Sequence, residues 1–210
     1  MMRLAQWWLG ALLSTVLLCA LSIEYLDMPI ARLLFTGGVA HKLSVLGSLL
    51  SSSTLVGLIT IVILPLILIR LVRGTLSKFG ETIIVAGCVA IGAFAVNDNV
   101  LKWIFGREEV VTYLTNPTDP IFHPMSGDVS SSFPSGHAVM ITAGLSACAR
   151  VYPRLQLTAV ALLAIMSGML LLGHWHFLSD IIAGLFVGGS AGVLAGELAK
   201  SHFDRKSRTP

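Results

Sequence analysis

Two histidines and a carboxylate lie at the ends of apolar segments of this chain. His137 ends the run Phe-Pro-Ser-Gly-His, and His176 comes later in the chain, with Asp180 four positions beyond it. A carboxylate bonded to one ring nitrogen of a histidine fixes its tautomer and makes the other nitrogen a better nucleophile or base. We therefore expect His176 and Asp180 to act together. The alternative for this pair is structural, with the aspartate capping a helix beside an interfacial histidine.

The residues just before His137 have the composition of an anion-binding site. Pro134 ends the preceding loop, and Ser135 and Gly136 then open a helix with free N–H groups and a positive dipole end. His137 would lie beside the bound anion, where a histidine can protonate a leaving oxygen. The simpler alternative is an ordinary helix cap, which explains Ser135 but does not require Gly136 and His137 after it.

Two cations lie at the end of the third apolar segment. Lys102 is expected to pair with Asp98, four residues earlier, and Arg107 carries a planar guanidinium fork that suits phosphate. The alternative for Lys102 is an interfacial anchor that extends toward lipid headgroups. With the helix opening and the two histidines, these cations indicate phosphate chemistry. In this chemistry one histidine attacks phosphorus and the other protonates the leaving oxygen.

His174 forms a His-x-His pair with His176. We expect it to line the site as a weaker phosphate contact or hydrogen-bonding residue. A metal site is the alternative, but the groups that could complete it show no ligand spacing. These groups are His123, Glu108, Glu109, Asp119 and Asp128. We therefore expect neither a metal nor a cofactor.

Composition assigns the chain to the membrane proteins. Hydrophobic residues make up 55% of the chain and charged residues 12%, and the mean hydropathy is +0.84. A soluble domain carries about a quarter charged residues. The three cysteines fall inside apolar runs, which favours inert side chains over disulfides. We expect the bilayer as a partner and no nucleic acid, and composition does not indicate an oligomeric state.

Six apolar segments predict an all-α integral membrane protein, a bundle of six transmembrane helices in one domain, 1–210. The predicted spans are residues 4–23, 55–72, 82–104, 138–151, 155–172 and 178–199. The fourth is short unless it begins at Pro134. We expect a core over 82–199, an active-site loop over 106–134 and a tail over 200–210, with the active site at the outer-face ends of helices 3 to 6.

The segments around the first span carry two further expectations. We expect this span to be retained in the protein rather than cleaved as a signal peptide. Residues 28–35 then predict a short amphipathic helix that lies on the membrane surface.

Charge placement predicts the orientation. Six spans put both termini on one side, and that side carries ten cations, whereas the opposite side carries Arg32, Lys42, Lys102 and Arg107. The ten are Arg3, Arg70, Arg73, Lys78, Arg150, Arg154, Lys200, Arg205, Lys206 and Arg208. The positive-inside rule then places both termini in the cytoplasm and the histidines on the outer face.

The last span contains glycines at every fourth position, namely Gly184, Gly188, Gly192 and Gly196. A stripe of small residues lets another helix approach closely. Asp180 continues the same stripe toward the outer face, so we expect it to point into the bundle.

These motifs resemble the membrane branch of the type-2 phosphatidic acid phosphatase superfamily, which also includes the vanadium haloperoxidases. Its first block is Lys followed after six residues by Arg-Pro, its second is Pro-Ser-Gly-His, and its third is Ser-Arg followed after five residues by His-x-x-x-Asp. Residues 134–137 match the second block, and His176 with Asp180 matches the end of the third. The resemblance covers the six-span core, most firmly over 82–196, and indicates a bacterial subgroup with divergent first and third blocks.

The resemblance implies a role for each matching residue. It implies that His176 is a nucleophile that forms a phosphohistidine, that Asp180 orients it, and that His137 is the general acid. Lys102, Ser135 and Gly136 fall at phosphate-binding positions. The family's membrane phosphatases are helical bundles that need no metal.

The chain departs from the family at both arginine positions. It has Glu109-Val110 in place of Arg-Pro and Met169-Leu170 in place of Ser-Arg. Arg107 is the expected replacement for one arginine, and His174 could donate one bond in place of the other. The departures are compatible with a rearranged phosphate site, a different substrate charge or lost activity.

The predicted function is a metal-independent phosphatase of the bacterial inner membrane with its active site on the periplasmic face. Its substrate would be a lipid phosphate or diphosphate, such as phosphatidate, phosphatidylglycerol phosphate, undecaprenyl diphosphate or a lipid A phosphate. One alternative is a lipid phosphotransferase on the same scaffold. The other is a non-catalytic membrane binding or transport protein, which the missing arginines favour.

Overall fold

The computed structural model describes residues 2–36, 51–117, 120–126 and 131–207. Within these ranges the chain is helical and contains no β-strand. The helices are α1 (Met2–Leu21), α2 (Asp27–Thr36), α3 (Ser52–Arg73), α4 (Lys78–Val96), α5 (Lys102–Phe105), α6 (Val110–Thr115), α7 (Gly136–Val151), α8 (Gln156–Leu172) and α9 (Leu178–Lys206). The predicted all-α membrane bundle is therefore confirmed as a fold class.

Five stretches of the described residues, rather than six, are long and apolar enough to cross a membrane. They are Gln6–Phe35, Ser52–Arg73, Lys78–Phe105, Pro153–Leu172 and Leu178–Lys206. The predicted fourth span corresponds to α7, which has 16 residues and is shorter than the roughly 20 that a span needs. Helix length therefore does not establish the predicted number of six membrane-spanning helices.

Helix α7 nevertheless runs beside α9 through the bundle interior, and the two are parallel. At its start, Ser135 N–H donates to the Asp180 carbonyl, and at its end Arg150 pairs with Glu197. Five of its nine buried residues are glycine or alanine, which allows neighbouring backbones to approach. The short helix is therefore enclosed by longer ones.

The glycine stripe of α9 forms the contact with α7, as the spacing predicts. A Cβ at Gly184 or Gly196 would lie 2.7 Å from Ala138 Cβ or Arg150 Cβ respectively, and one at Gly188 would collide with the Val139 carbonyl. Glycine is required here because the two backbones leave no room for a side chain. Asp180 is fully buried at the N-terminal end of this contact.

Two π-turns interrupt the long helices just before residues of the site. Ser22–Leu26 joins α1 to α2, and Asn97–Leu101 joins α4 to α5. A π-turn adds one residue to a helical turn and so redirects the side chains that follow, which here include Asp27 and Lys102. Asn97 also ties its turn to the site, since its Nδ2 donates to the Pro134 carbonyl at 3.0 Å.

The helix predicted over 28–35 is present as α2 (Asp27–Thr36), but it continues the preceding helix and does not begin anew. Residues Gln6–Phe35 form one helical run, and Ala31 packs with Val110 and Phe177 in a buried apolar cluster. The helical hydrogen bonding is maintained through the π-turn, where Asp27 N–H donates to the Ser22 carbonyl. Asp27, the residue just before this segment, is buried.

Several predictions from sequence fall on residues outside the described ranges. Lys42 and Arg208, used for the charge count, are among them, as are Asp119 and Asp128, considered as metal ligands. Parts of the predicted loop 106–134 and tail 200–210 also fall there.

Candidate active site

A cavity of about 270 Å³ opens where α7 begins and the segment before α9 ends. Five residues that we predicted from sequence line it, namely Lys102, Gly136, His137, His174 and His176. Ser135 and Asp180 lie directly behind this lining and are fully buried. Three separate segments of the chain therefore converge on one pocket, as the motifs predict.

His176 and His137 face each other in this cavity. Their ring centroids are 6.1 Å apart and the ring planes are inclined at 61°. A phosphorus atom between two rings at this separation would meet one nitrogen on its attacked side and the other near its leaving oxygen. The arrangement suits one nucleophile and one general acid.

Asp180 lies close to His176 and also contacts the start of α9. Its Oδ2 lies 3.6 Å from His176 Nδ1 and accepts a hydrogen bond of 2.9 Å from Phe177 N–H. His176 precedes α9, so the two residues meet at the helix start rather than within a helical turn. The carboxylate therefore caps the helix, which was the structural alternative, and it also lies on the Nδ1 side of the histidine. Nε2 is the remaining nitrogen available for attack.

Ser135 is used as a helix cap. Its Oγ accepts from Ala138 N–H at 3.3 Å, and its own N–H donates to the Asp180 carbonyl at 3.0 Å. Both of its polar groups are therefore engaged within the protein. Gly136, the first residue of α7, lines the cavity, so the positive end of the helix dipole lies at the predicted phosphate position.

Lys102 supplies a cation to the cavity. Its Nζ lies 2.8 Å from Asp98 Oδ1, the predicted partner, and only 14% of its side chain is exposed. This burial distinguishes it from the freely solvated surface anchor that was the alternative. Because Asp98 offsets part of its charge, Lys102 is held in place rather than left mobile.

Arg107 does not line this cavity, contrary to the predicted phosphate contact. Its guanidinium is 2% exposed and lies between two carboxylates. Nη1 is 2.6 Å from Asp180 Oδ1, and Nη2 is 2.8 Å from Asp27 Oδ2. The guanidinium carbon is also 4.0 Å from the centre of the Phe177 ring. The fork is thus occupied by the protein's own carboxylates, and Arg107 supports the site from behind.

The other position that differs from the family motif, Leu170, lies in the apolar core. Its side chain is 3% exposed and packs with Ala138 and Ile181. An arginine introduced here would bury a charge among apolar side chains, which costs several kcal/mol unless a partner is supplied. The local surroundings of Leu170 therefore differ from those of a phosphate contact.

His174 is buried beside His176 in an unusual backbone conformation. It is 2% exposed, its φ is +57°, and neither ring nitrogen makes a hydrogen bond of normal geometry to the described residues. Burial lowers the pKa of His174 below its ordinary value of 6.5, and the Leu34 backbone partly offsets this. A left-handed conformation costs free energy for a residue with a Cβ, and such strain is concentrated at functional sites.

Residues that sequence reasoning did not place at the site are also present. Glu109, Ser131 and Ser132 line the cavity, and Asp27 lies behind it. Asp27 carried one signal that could have identified it, since it is an ionisable residue within a long apolar stretch. The serines carried none, because a loop rich in serine is ordinary.

Metal ligation has no support in the described part of the chain. No group of three His, Cys, Asp or Glu side chains there is placed to hold a metal ion. His123 instead lies 3.4 Å from Glu108.

Comparison with known proteins agrees with this geometry. A family model described as the PAP2 superfamily matches residues 76–201, more than half of the chain. This range contains both histidines, Lys102 and Asp180, but not Asp27. No curated protein and no solved structure matches the chain.

Proposed function

Because the chain belongs to the PAP2 superfamily, we propose that it hydrolyses a lipid phosphate or diphosphate through a phosphohistidine on His176. Family membership and the apolar helices fit a membrane phosphatase. The observation that carries the finer proposal is the pair of histidine rings 6.1 Å apart across a cavity, one of them backed by a buried carboxylate.

The proposed reaction has two steps. In the first, His176 Nε2 forms a bond to phosphorus, the bond to the leaving oxygen breaks, and His137 gives that oxygen its proton. In the second, water attacks the phosphohistidine, His137 takes the proton from water, and inorganic phosphate leaves for a monoester substrate. Asp180 holds the Nδ1 side of the attacking ring throughout.

Stabilisation of the phosphoryl oxygens would come from Lys102 and from the start of α7. Lys102 Nζ is held by Asp98, and the Gly136 end of the helix lines the same cavity. Charge placed in advance where a transition state develops negative charge lowers the barrier without reorganisation. With Arg107 engaged elsewhere, we propose that these two groups and His174 make the phosphate contacts.

The substrate class follows from the position of the cavity. It lies at the ends of helices with large exposed apolar side chains, including Val96, Val100 and Trp103 on the segment that carries Lys102. A lipid could therefore keep its tail in the bilayer while its phosphate enters the cavity. Phosphatidate, phosphatidylglycerol phosphate, undecaprenyl diphosphate and lipid A phosphates all satisfy this requirement.

The proposed location is the inner membrane of a bacterium, with both termini in the cytoplasm and the cavity on the outer face. This orientation rests on the ten cations of one side against four of the other. The reaction needs no metal in this scheme, because cations and a helix dipole supply the positive charge.

The test is phosphate release by purified protein from a panel of these lipids. We expect turnover that persists in EDTA, is abolished in His176→Ala, and is unchanged in the control His202→Ala, whose side chain is exposed near the other end of α9. Acid-labile labelling of the wild-type protein by a radioactive lipid phosphate, absent from His176→Ala, would identify the intermediate. Full activity of His176→Ala would overturn the mechanism. Loss in EDTA with recovery on adding a divalent ion would favour a metal site instead.

A further inference from the structure

Asp27 is a buried carboxylate that the reaction scheme does not use. It begins α2, is 1% exposed, and lies outside the residues matched by the family model. An unpaired charge at such a position would cost several kcal/mol. The buried Asp27 carboxylate must therefore be stabilised by its partners. Those partners all belong to the candidate active site or adjoin it.

Every polar contact of the Asp27 carboxylate is short. Oδ2 accepts from Ser179 Oγ at 2.5 Å and lies 2.8 Å from Arg107 Nη2. Oδ1 accepts from Ser179 N–H at 3.0 Å and from Ser22 Oγ at 2.8 Å. The carboxylate therefore holds the first turn of α9 and one end of the Arg107 fork at the same time.

Arg107 transmits this constraint to the nucleophile. Its other nitrogen, Nη1, contacts Asp180 Oδ1 at 2.6 Å and Ser179 Oγ at 2.6 Å. Asp180 then presents Oδ2 to His176 at 3.6 Å. Asp27, Arg107, Asp180 and His176 form one continuous series of charged and polar contacts that ends at the attacking ring.

The charges of this series complement the reaction. Two carboxylates surround one guanidinium, so the group behind His176 carries a net negative charge. The ring becomes positively charged when it bonds to phosphorus, and nearby negative charge stabilises that state. Without the charge of Asp27, the Arg107 guanidinium would have Asp180 as its one charged partner in this group. Less of the negative charge of Asp180 would then be available to His176.

We propose that Asp27 is a positioning residue for the nucleophile, acting through Arg107 and Asp180. The role rests on the proposed function, since it assumes that His176 attacks phosphorus. It makes the first helical run of the chain part of the catalytic apparatus, although the family model begins at residue 76. Arg107 is a positioning residue by the same geometry.

The test compares Asp27→Asn with a control, Asp204→Asn, whose side chain is exposed near the end of α9. The amide keeps the shape of the carboxylate but removes its charge. We expect kcat to fall about 10- to 100-fold in Asp27→Asn, with KM within about twofold, as for residues that orient a catalytic group from behind. The control should match wild type in both constants.

Inhibition distinguishes positioning from a general loss of structure. Orthovanadate, which bonds to the histidine as a transition-state analogue, should bind more weakly to Asp27→Asn in proportion to the loss in kcat, whereas inorganic phosphate should bind equally. A structural role would lower the amount of folded protein without separating the two inhibitors. Asp27→Glu keeps the charge and should recover part of kcat.

A double variant tests the route through Arg107. Because both residues act through one series of contacts, Asp27→Asn combined with Arg107→Lys should lose little more than the worse single variant. If the loss of kcat in the double variant equals the product of the two single losses, the route through Arg107 is overturned. A kcat per folded molecule within twofold of wild type in Asp27→Asn would overturn the role of Asp27. Wild-type protein that neither releases phosphate nor binds vanadate would instead overturn the proposed function and this role with it.

Discussion

At the scale of single residues, the site depends on the Asp180 carboxylate, which both caps a helix and lies beside His176. Asp180 caps α9 through Phe177 N–H and faces His176 with the same oxygen, while its other oxygen meets Arg107. A helix cap is a rigid feature, since it is fixed by backbone geometry. The orientation of the nucleophile is therefore tied to the start of a helix rather than to a mobile loop.

His174 makes the stability of the folded protein depend on pH. Burial lowers its pKa below 6.5, so the folded protein binds the proton less readily than the unfolded chain does. Neutral His174 therefore contributes fully to the free energy of unfolding above pH 6.5. This contribution is lost as the pH falls below 6.5. We expect the melting temperature to drop between pH 7.5 and 5.5, and to drop less in His174→Asn. Asparagine tolerates the left-handed backbone, so the comparison isolates the imidazole.

The measurement is thermal unfolding of both proteins in detergent across that pH range. The other histidines are common to the two proteins, so their contributions cancel in the difference. An equal drop in both would show that protonation of His174 does not contribute to the loss of stability.

Sequence identified the residues that belong to the local motifs, and it did not identify the partners of Arg107. His137, His176, Lys102 and Gly136 belong to motifs whose chemistry is local, so their roles can be inferred from type and spacing. The pairing of Arg107 with Asp27 joins residues 80 positions apart. A cation near a phosphate motif predicts a phosphate contact, and only tertiary structure reveals two carboxylates that occupy it first.

At the scale of elements, the geometry of the site depends on how closely α7 and α9 approach. Helix α7 carries Ser135 and His137 at its start, and α9 carries Asp180 in its first turn. A displacement between these helices would move the general acid relative to the nucleophile. Losses of about 100-fold in rate follow displacements of about 1 Å in catalytic geometry.

The glycines of α9 provide a matched test of this dependence. A Cβ at Gly188 would collide with the Val139 carbonyl, whereas one at the adjacent Gly189 would lie 3.7 Å from Thr142 Cγ2, an ordinary contact. We expect Gly188→Ala to lower both the melting temperature and kcat, with a destabilisation of about 1–3 kcal/mol from overpacking. Gly189→Ala should leave both unchanged. The measurements are thermal unfolding and phosphate release, and equal behaviour of the two variants would contradict the close-approach argument.

Element boundaries were predictable where periodicity was strong and not where helices continue through irregular turns. The last span was predicted over 178–199 and the helix is Leu178–Lys206, because the polar residues after 199 continue the helix beyond the apolar part. The break predicted after residue 23 is instead a π-turn. A π-turn maintains helical hydrogen bonding without a proline or glycine, so composition gives no signal for it.

At the scale of the whole molecule, the charged groups separate to the two ends of the bundle. The Arg70–Glu81 and Arg150–Glu197 pairs and the Lys78 ammonium over Phe203 lie at the end away from the cavity. Lysine and arginine flank apolar spans mainly on the cytoplasmic side. The fold is thus compatible with the orientation proposed from sequence.

Cysteine labelling in cells can test that orientation. In a variant lacking the native cysteines, a membrane-impermeant thiol reagent should label Asn116→Cys in intact cells, because this exposed position lies on the cavity side. Arg154→Cys, an exposed position in the turn after α7, should be labelled only after the membrane is permeabilised. The reverse pattern would place the cavity in the cytoplasm and change the leaflet from which the lipid comes.

The buried ion pair between Asp27 and Arg107 limits how the first helical run of the protein can be replaced. The first helical run cannot be exchanged for an arbitrary membrane anchor, since a replacement without a carboxylate at this depth would leave the Arg107 guanidinium with an unmatched charge. A chimaera that takes residues 76–201 from this chain would therefore need residue 27 as well. The first helical run and the matched domain are thus linked by a buried ion pair as well as by the chain between them.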